Sequence, residues 1–139
     1  MDEHLGLSKL LQERGIQPSA QRVAIARFVL RTDGHPTADE VLAEVRLVFP
    51  MVSRATVYNT LRLFAEKGLL RTCQFEGGVT VYDPNTDRHH HLIDEESGRI
   101  IDVPWDALEV RGIEGLDGFA VDSWMVVVRG RRRDGGASR

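Results

Sequence analysis

SRATVYNTLRLFAEKGLLRTCQFEGGVTVYD, residues 53–83, begins with a helical period and ends with a strand period. Ser53 is placed to cap a helix from Arg54 to Lys67, with Val57, Leu61 and Phe64 spaced to face inward and Gly68 as the stop. Arg54, Tyr58, Asn59 and Arg62 fall between those apolar positions and make an outward face of donors with one aromatic. Beyond Gly68 the period changes. Thr72 to Glu76 and Val79 to Asp83 flank Gly77-Gly78, the pattern of a β-hairpin with a glycine turn. A capped helix followed by such a hairpin is the order of a winged helix-turn-helix.

The residues before Ser53 extend that reading. Leu5 to Arg14 is a short amphipathic stretch closed by Gly15, and Ser19 can cap a helix running to about Arg31. Asp33-Gly34-His35-Pro36 reads as a turn. Thr37 and Glu40 then have the spacing of a capping box, and Val41, Leu42, Val45, Val48 and Phe49 follow as an apolar face. Pro50 closes that helix.

The residues after Asp83 form a second unit of different character. Pro84 to Asp87 is a polar hinge, and His90 to Ile93 with Arg99 to Val103 reads as another hairpin about Ser97-Gly98. Trp105 to Val110 is expected as a short helix, and Phe119 to Arg129 as a strongly β-prone strand. The fold class expected is α+β. A winged-helix domain over residues 1–83 leads through a hinge at 84–87 to a dimerisation and metal-sensing domain over 88–130, and the Arg/Gly/Ser-rich tail at 131–139 is expected to be disordered.

Composition narrows the function. The net charge is −3, but residues 1–72 carry ten Lys and Arg against eight Asp and Glu, whereas residues 73–139 carry eight against thirteen. The first half can therefore meet phosphate without whole-chain repulsion deciding the matter. A single cysteine, Cys73, rules out an internal disulfide and a thiolate zinc cluster, and reads as a half-buried residue at the base of the wing. No leader of the export type and no membrane-spanning apolar run is present, so a cytoplasmic location without membrane contact is expected.

His89-His90-His91 is the chemically richest segment. Along an extended strand His89 and His91 share one face and His90 takes the other. With His35, Asp83 and Asp102 they offer nitrogen and oxygen donors without sulfur, a set suited to Fe(II), Mn(II), Zn(II) or Co(II). On the helix from Arg54, the arginines can reach phosphate or guanine, Asn59 can pair with adenine, and Tyr58 can lie against a thymine methyl. A metalloenzyme would need a substrate pocket and a general base for which no segment is to spare, so an enzyme is not expected.

Gln21-Arg22, His35-Pro36-Thr37-Ala38-Asp39, Ser53 through Leu61, and Tyr82-Asp83 with His89-His90-His91 together resemble the ferric uptake regulator (Fur) superfamily over about residues 5–130. The resemblance implies a homodimeric repressor of palindromic operator DNA. His35, Asp83, His89, His91 and Asp102 would be its regulatory metal site, with Fe(II) or Mn(II) as corepressor and Zn(II) able to substitute in vitro. Arg22 joins Arg54, Tyr58, Asn59 and Arg62 as expected DNA contacts. Aspartates at positions 83 and 102 match the PerR-type peroxide sensors, in which the histidines matching His35 and His91 are oxidised. Where many members carry a first Cys-x-x-Cys, this chain has Asp94-Glu95-Glu96-Ser97, so no structural zinc is expected. Arg88 and Trp124 stand where a further family metal site has histidines, which leaves Glu109 as a surface acid. The triple histidine also matches the Irr branch, which keeps a haem- or iron-responsive regulator as the alternative.

Overall fold

The structure is a computed structural model that describes residues 3–32, 34–75 and 77–133. The chain divides into two compact units, Met1–Thr86 and Asp87–Arg139.

The first unit is helical with one hairpin. Helices α1 (Glu3–Glu13), α2 (Ala20–Val29), α3 (Ala38–Val45) and α4 (Arg54–Glu66) precede strands β1 (Arg71–Gln74) and β2 (Thr80–Asp83). The starts of α2, α3 and α4 are those expected, because a hydroxyl stands at each of their caps, while α1 begins two residues earlier than the expected Leu5. Ser19 accepts from the Arg22 N–H, Ser53 from the Thr56 N–H, and Thr37 and Glu40 exchange both bonds of a capping box. Gly15 and Gly68 follow α1 and α4 with φ of 75° and 80°, the left-handed conformation that ends a helix and that glycine adopts without strain. Leu11, Ile25, Val29, Val41, Val57, Leu61 and Phe64 are fully buried in one core. Each such aliphatic or aromatic side chain contributes about 1.5–3 kcal/mol of transfer free energy. One expectation fails here: α3 stops at Val45, and Val48 is 64 % exposed rather than part of the buried face. Residues 46–49 turn away because Pro50 disfavours helix in the residue before it, and the Arg46 side chain bonds the Val52 carbonyl at 3.1 Å across that turn.

β1 and β2 pair antiparallel, with Arg71 opposite Asp83 and Gln74 opposite Thr80. This is the expected wing. Cys73 is half-buried as expected, but it pairs with Val81 toward the turn rather than at the base of the wing, while Glu76 and Asp33 lie outside the described residues. The segment before α3 is tied to β2: Thr37 bridges Val81, and the Tyr82 N–H donates to the Pro36 carbonyl at 2.9 Å.

The second unit is a three-stranded sheet in the order β4-β3-β5, from β3 (His89–Asp94), β4 (Ile100–Pro104) and β5 (Val127–Gly130). β3 and β4 are antiparallel, with His91 opposite Asp102, and β3 and β5 are parallel, with His91 opposite Val127. Two expectations are corrected. The strand forecast over Phe119–Arg129 is regular only from Val127, with the Val126 carbonyl accepting from the His91 N–H at 3.0 Å just before it, because a strand needs a ladder partner and Phe119–Met125 has no assigned ladder partner among the described residues. The helix expected over Trp105–Val110 is a single 3-10 turn, α5 (Trp105–Ala107); a second such turn, α6 (Ile113–Gly115), follows. Of the tail at 131–139, residues 134–139 lie outside the described residues.

The β3–β4 turn closes on side-chain hydrogen bonds. The Asp94 carboxylate accepts from the Glu96 N–H at 3.0 Å and the Ser97 hydroxyl at 2.9 Å, while Ser97 Oγ accepts from the Arg99 N–H at 3.1 Å. Those bonds, led by the Glu96 N–H, hold the Asp94 carboxyl below its ordinary range. On the opposite side of β3, His90 is fully buried. Its ring stacks on Trp105 at 4.3 Å, with Trp124 at 5.8 Å, and its Nδ1 accepts from the Val126 N–H at 3.0 Å. The Arg88 guanidinium lies 3.8 Å above the Trp105 ring.

Two outcomes follow from this packing. His90→Ala removes the stacked ring and the acceptor of a backbone N–H, and is expected to destabilise the second unit by about 2–4 kcal/mol; urea unfolding followed by tryptophan fluorescence reads this directly, since both tryptophans lie in the cluster. The folded-state pKa of Asp94 is depressed, so its contribution is present above the unfolded aspartate pKa and disappears as pH falls through the folded value. Asp94→Ala is therefore expected to cost stability at neutral pH and little in strong acid, as denaturation midpoints across pH would show.

Candidate metal ligands and nucleic-acid interface

The first pair of candidate ligands arises from how residues 35–37 are laid along β2. His35 has φ of 52°, the only non-glycine positive value among the described residues. A left-handed histidine is uncommon and costs of order 1 kcal/mol or more, so the surrounding bonds must impose it. Pro36 and Thr37 supply them through Tyr82 and Val81. As a result His35 Nε2 stands 3.1 Å from Asp83 Oδ2, with both side chains 2 % exposed. The other Asp83 oxygen accepts from the Asn85 N–H at 2.9 Å.

The second group is set by strand alternation and register. His89 and His91 lie on one face of β3, their rings 4.6 Å apart and their Nε2 atoms 3.1 Å apart. Directly opposite residues of an antiparallel pair share a face, so the His91–Asp102 register brings the Asp102 carboxylate to that side. Its Oδ1 lies 3.4 Å from His89 Nε2 and 3.7 Å from His91 Nε2. His89 Nδ1 lies 2.6 Å from the Asp87 carbonyl, which can only accept. Nδ1 therefore carries a proton, which leaves Nε2 as the nitrogen open to an ion, and a bond of this kind orients an imidazole that ligates.

The spacing fits an ion. Donors about 2.1 Å from one cation at octahedral to tetrahedral angles stand about 3.0–3.4 Å from each other. The His35–Asp83 and His89–His91 separations both meet that criterion. All the donors are nitrogen or carboxylate oxygen, which suits Mn(II), Fe(II) or Zn(II) rather than a thiophilic ion.

Glu109, left by the sequence as a surface acid, is exposed and ion-paired to Arg111 at 3.1 Å. Arg88 and Trp124 belong to the stack around His90.

On α4, Arg54, Tyr58, Asn59 and Arg62 are exposed while Val57, Thr60, Leu61 and Phe64 are buried, so the expected outward face exists. Arg22 sits in the first turn of α2, where its guanidinium donates to the Gln17 carbonyl at 2.7 Å. The sequence reading gave Asp39 no role beyond its motif. Its Oδ1 accepts from both Arg54 Nη1 and the Tyr58 hydroxyl. Period alone could not find this, because the partners come from two helices; an acid in the first turn of the preceding helix was the only signal.

Known proteins give a consistent picture. Residues 13–128 match the model of the ferric uptake regulator family. A peroxide-responsive repressor PerR of Staphylococcus epidermidis is 35 % identical over 99 residues, 71 % of this chain. The matched stretch spans 66 % of that relative's own length. A zinc-bound manganese uptake regulator superposes with a TM-score of 0.68 at 28 % identity, covering 90 % of this chain and 97 % of that one. The Vibrio cholerae ferric uptake regulator does so with a TM-score of 0.71 at 25 % identity, covering 89 % and 98 %. With its winged-helix unit, its small sheet unit and a match over most of its length, the chain belongs to the ferric uptake regulator family.

Proposed function

We propose that this chain is a metal-dependent transcriptional repressor that binds palindromic operator DNA as a homodimer, with Fe(II) or Mn(II) as corepressor and hydrogen peroxide as a signal. The observation that carries the reading is the donor geometry in each unit: the buried, ion-spaced pairs His35 with Asp83 and His89 with His91, the second beside the half-buried Asp102. The two groups act as halves of one site. Neither half completes a coordination sphere, so one ion that takes donors from both is bound more tightly than either alone can hold it. Residues 1–83 then form the DNA-binding domain, 84–87 the hinge and 88–130 the dimerisation and sensing domain.

The chain's own groups set the switch. Every ligand must be deprotonated to bind, so metal affinity falls on acidification. Metal can shift a two-state equilibrium only by its differential affinity for the two arrangements, and moving it from 1:99 to 99:1 requires about 5.5 kcal/mol. Arg54 and Arg62 contact phosphate or guanine, Asn59 and Tyr58 read base edges, and Arg22 contacts the backbone. Ferrous iron held there would supply the electrons that cleave peroxide, the chemistry by which a ligating imidazole gains an oxygen. His35 and His91 are the side chains expected to be oxidised, and either loss removes a donor and with it the bias toward the DNA-binding arrangement.

Dimerisation has its own support. No apolar side chain beyond Tyr82 is buried among the described residues. Ile101, Leu92 and Val128 are lateral neighbours on one face across the three strands, and none of them is buried. A sheet unit of this size buries too little surface to stand alone, and a second copy covers that row.

Two experiments test the proposal. Anaerobic protein loaded with Mn(II) or Fe(II) should bind a palindromic duplex selected from a random pool. Peroxide should abolish binding of the Fe(II) form only, with one added oxygen on the His35 or His91 peptide by mass spectrometry. His89→Ala or His91→Ala should lower Mn(II) affinity by about 100-fold or more, the upper end of what even outer partners of a ligand are worth. Binding that ignores metal would remove the corepressor reading, and unmodified histidines would remove the peroxide arm. Sedimentation equilibrium should give twice the 15.6 kDa chain mass, and Val128→Asp should shift the protein toward monomer.

A further inference from the structure

We propose that Asp39 is a specificity-determining residue that withholds Arg54 and Tyr58 from DNA that does not fit. The inference rests on the DNA-binding reading above and adds a residue to it. Two of the four side chains nominated on α4 end on one oxygen of another helix. Arg54 Nη1 donates to Asp39 Oδ1, and the Tyr58 hydroxyl donates to the same atom at 3.2 Å. The Arg54 guanidinium carbon stands 6.0 Å from the centroid of the Tyr58 ring, so the three groups form one cluster. Arg54 and Asp39 are 61 % and 64 % exposed, and the cluster is open to an arriving duplex.

Asp39 is fixed where it stands. It occupies the second position of α3, where the helix N-terminus favours a negative charge, and the Thr37–Glu40 capping box locks that turn. The groove beside it, between α4 and the wing, is lined by Tyr58, Arg62, Thr72, Thr80 and Tyr82, so its carboxylate borders the surface that would carry DNA.

The consequence is electrostatic. Loose attraction to DNA of any sequence comes from cations replacing counterions on phosphate. While Arg54 is bound to Asp39 the pair has no net charge, and its cation is not offered to phosphate. A poorly fitting duplex therefore gains nothing from Arg54. An exposed ion pair is weak enough to exchange, however. A duplex that fits replaces Asp39 as the partner of both Arg54 and Tyr58 and recovers the cost through two contacts at once. Withholding two donors in this way discriminates by denying the wrong partner their contacts.

The test compares full-length, Mn(II)-loaded wild type, Asp39→Asn and Asp39→Glu on a random-sequence duplex and on the selected palindrome across a salt series. Asp39→Asn should tighten binding of the random duplex by about 5- to 10-fold and steepen the dependence of log K on log salt by about one per chain. The palindrome should gain less, so discrimination shrinks. Asp39→Glu keeps the charge and should stay within about twofold of wild type on both duplexes. In an Arg54→Ala background Asp39→Asn should change little, which separates release of Arg54 from a general change in surface charge. Circular dichroism and thermal unfolding of each variant establish that it is folded. A folded Asp39→Asn that leaves affinity and salt slope unaltered, or that weakens binding to both duplexes, overturns the proposal. Wild type that binds neither duplex would instead remove the repressor reading itself.

Discussion

The alternation of side chains along β3 is the constraint on which the second unit depends. Three consecutive histidines on a helix would spread around it; on a strand they divide two to one between opposite faces. His89 and His91 thereby meet each other and Asp102, while His90 enters the stack with Trp105 and Trp124. One strand supplies candidate metal donors on one side and packing on the other. A one-residue slip of the β3–β4 register would move Asp102 to the wrong face. That register is held at the turn by the hydrogen bonds around Asp94 and Ser97.

The first unit achieves a comparable result with caps. Ser19, Thr37 and Ser53 fix where α2, α3 and α4 begin, and so fix which residues face the core. Because α3 begins at Ala38, the preceding His35-Pro36-Thr37 segment is free of helical geometry and can lie along β2. His35 accepts a left-handed backbone in return for contact with Asp83. Local strain of this kind persists only where the neighbours over-determine it, and here they are the bonds from β2. The start of α3 thus governs two features at once, the His35–Asp83 pair and the Asp39 contact with Arg54 and Tyr58.

Burial differs between the units in a way that bears on assembly. The helical unit closes its own core, with eight aliphatic and aromatic side chains fully removed from water. Among the described residues of the sheet unit, the buried side chains are the three histidines. Its apolar row of Ile101, Leu92 and Val128 is left partly open. Polar and aromatic contacts hold such a sheet together locally, but they do not supply the apolar burial on which independent stability rests.

Much of this was legible in the sequence because it depends on local rules. The capping hydroxyls, the glycine stops, the change of period after Gly68 and the two-faced histidine strand all follow from residue type and spacing within a few positions. The misreadings share one cause. Val48 looked buried and Phe119–Met125 looked like strand on propensity, but burial and pairing need a partner surface, and no local pattern supplies one. The candidate ligands could be named from residue type, yet sequence could not bring His35 within 3.1 Å of Asp83 across 48 residues. Nor could it find Asp39 beneath Arg54 and Tyr58. Short-range order is written in backbone conformational preference, whereas which side chains meet is decided only when helices and strands pack, since packing sets distances that spacing along the chain does not constrain.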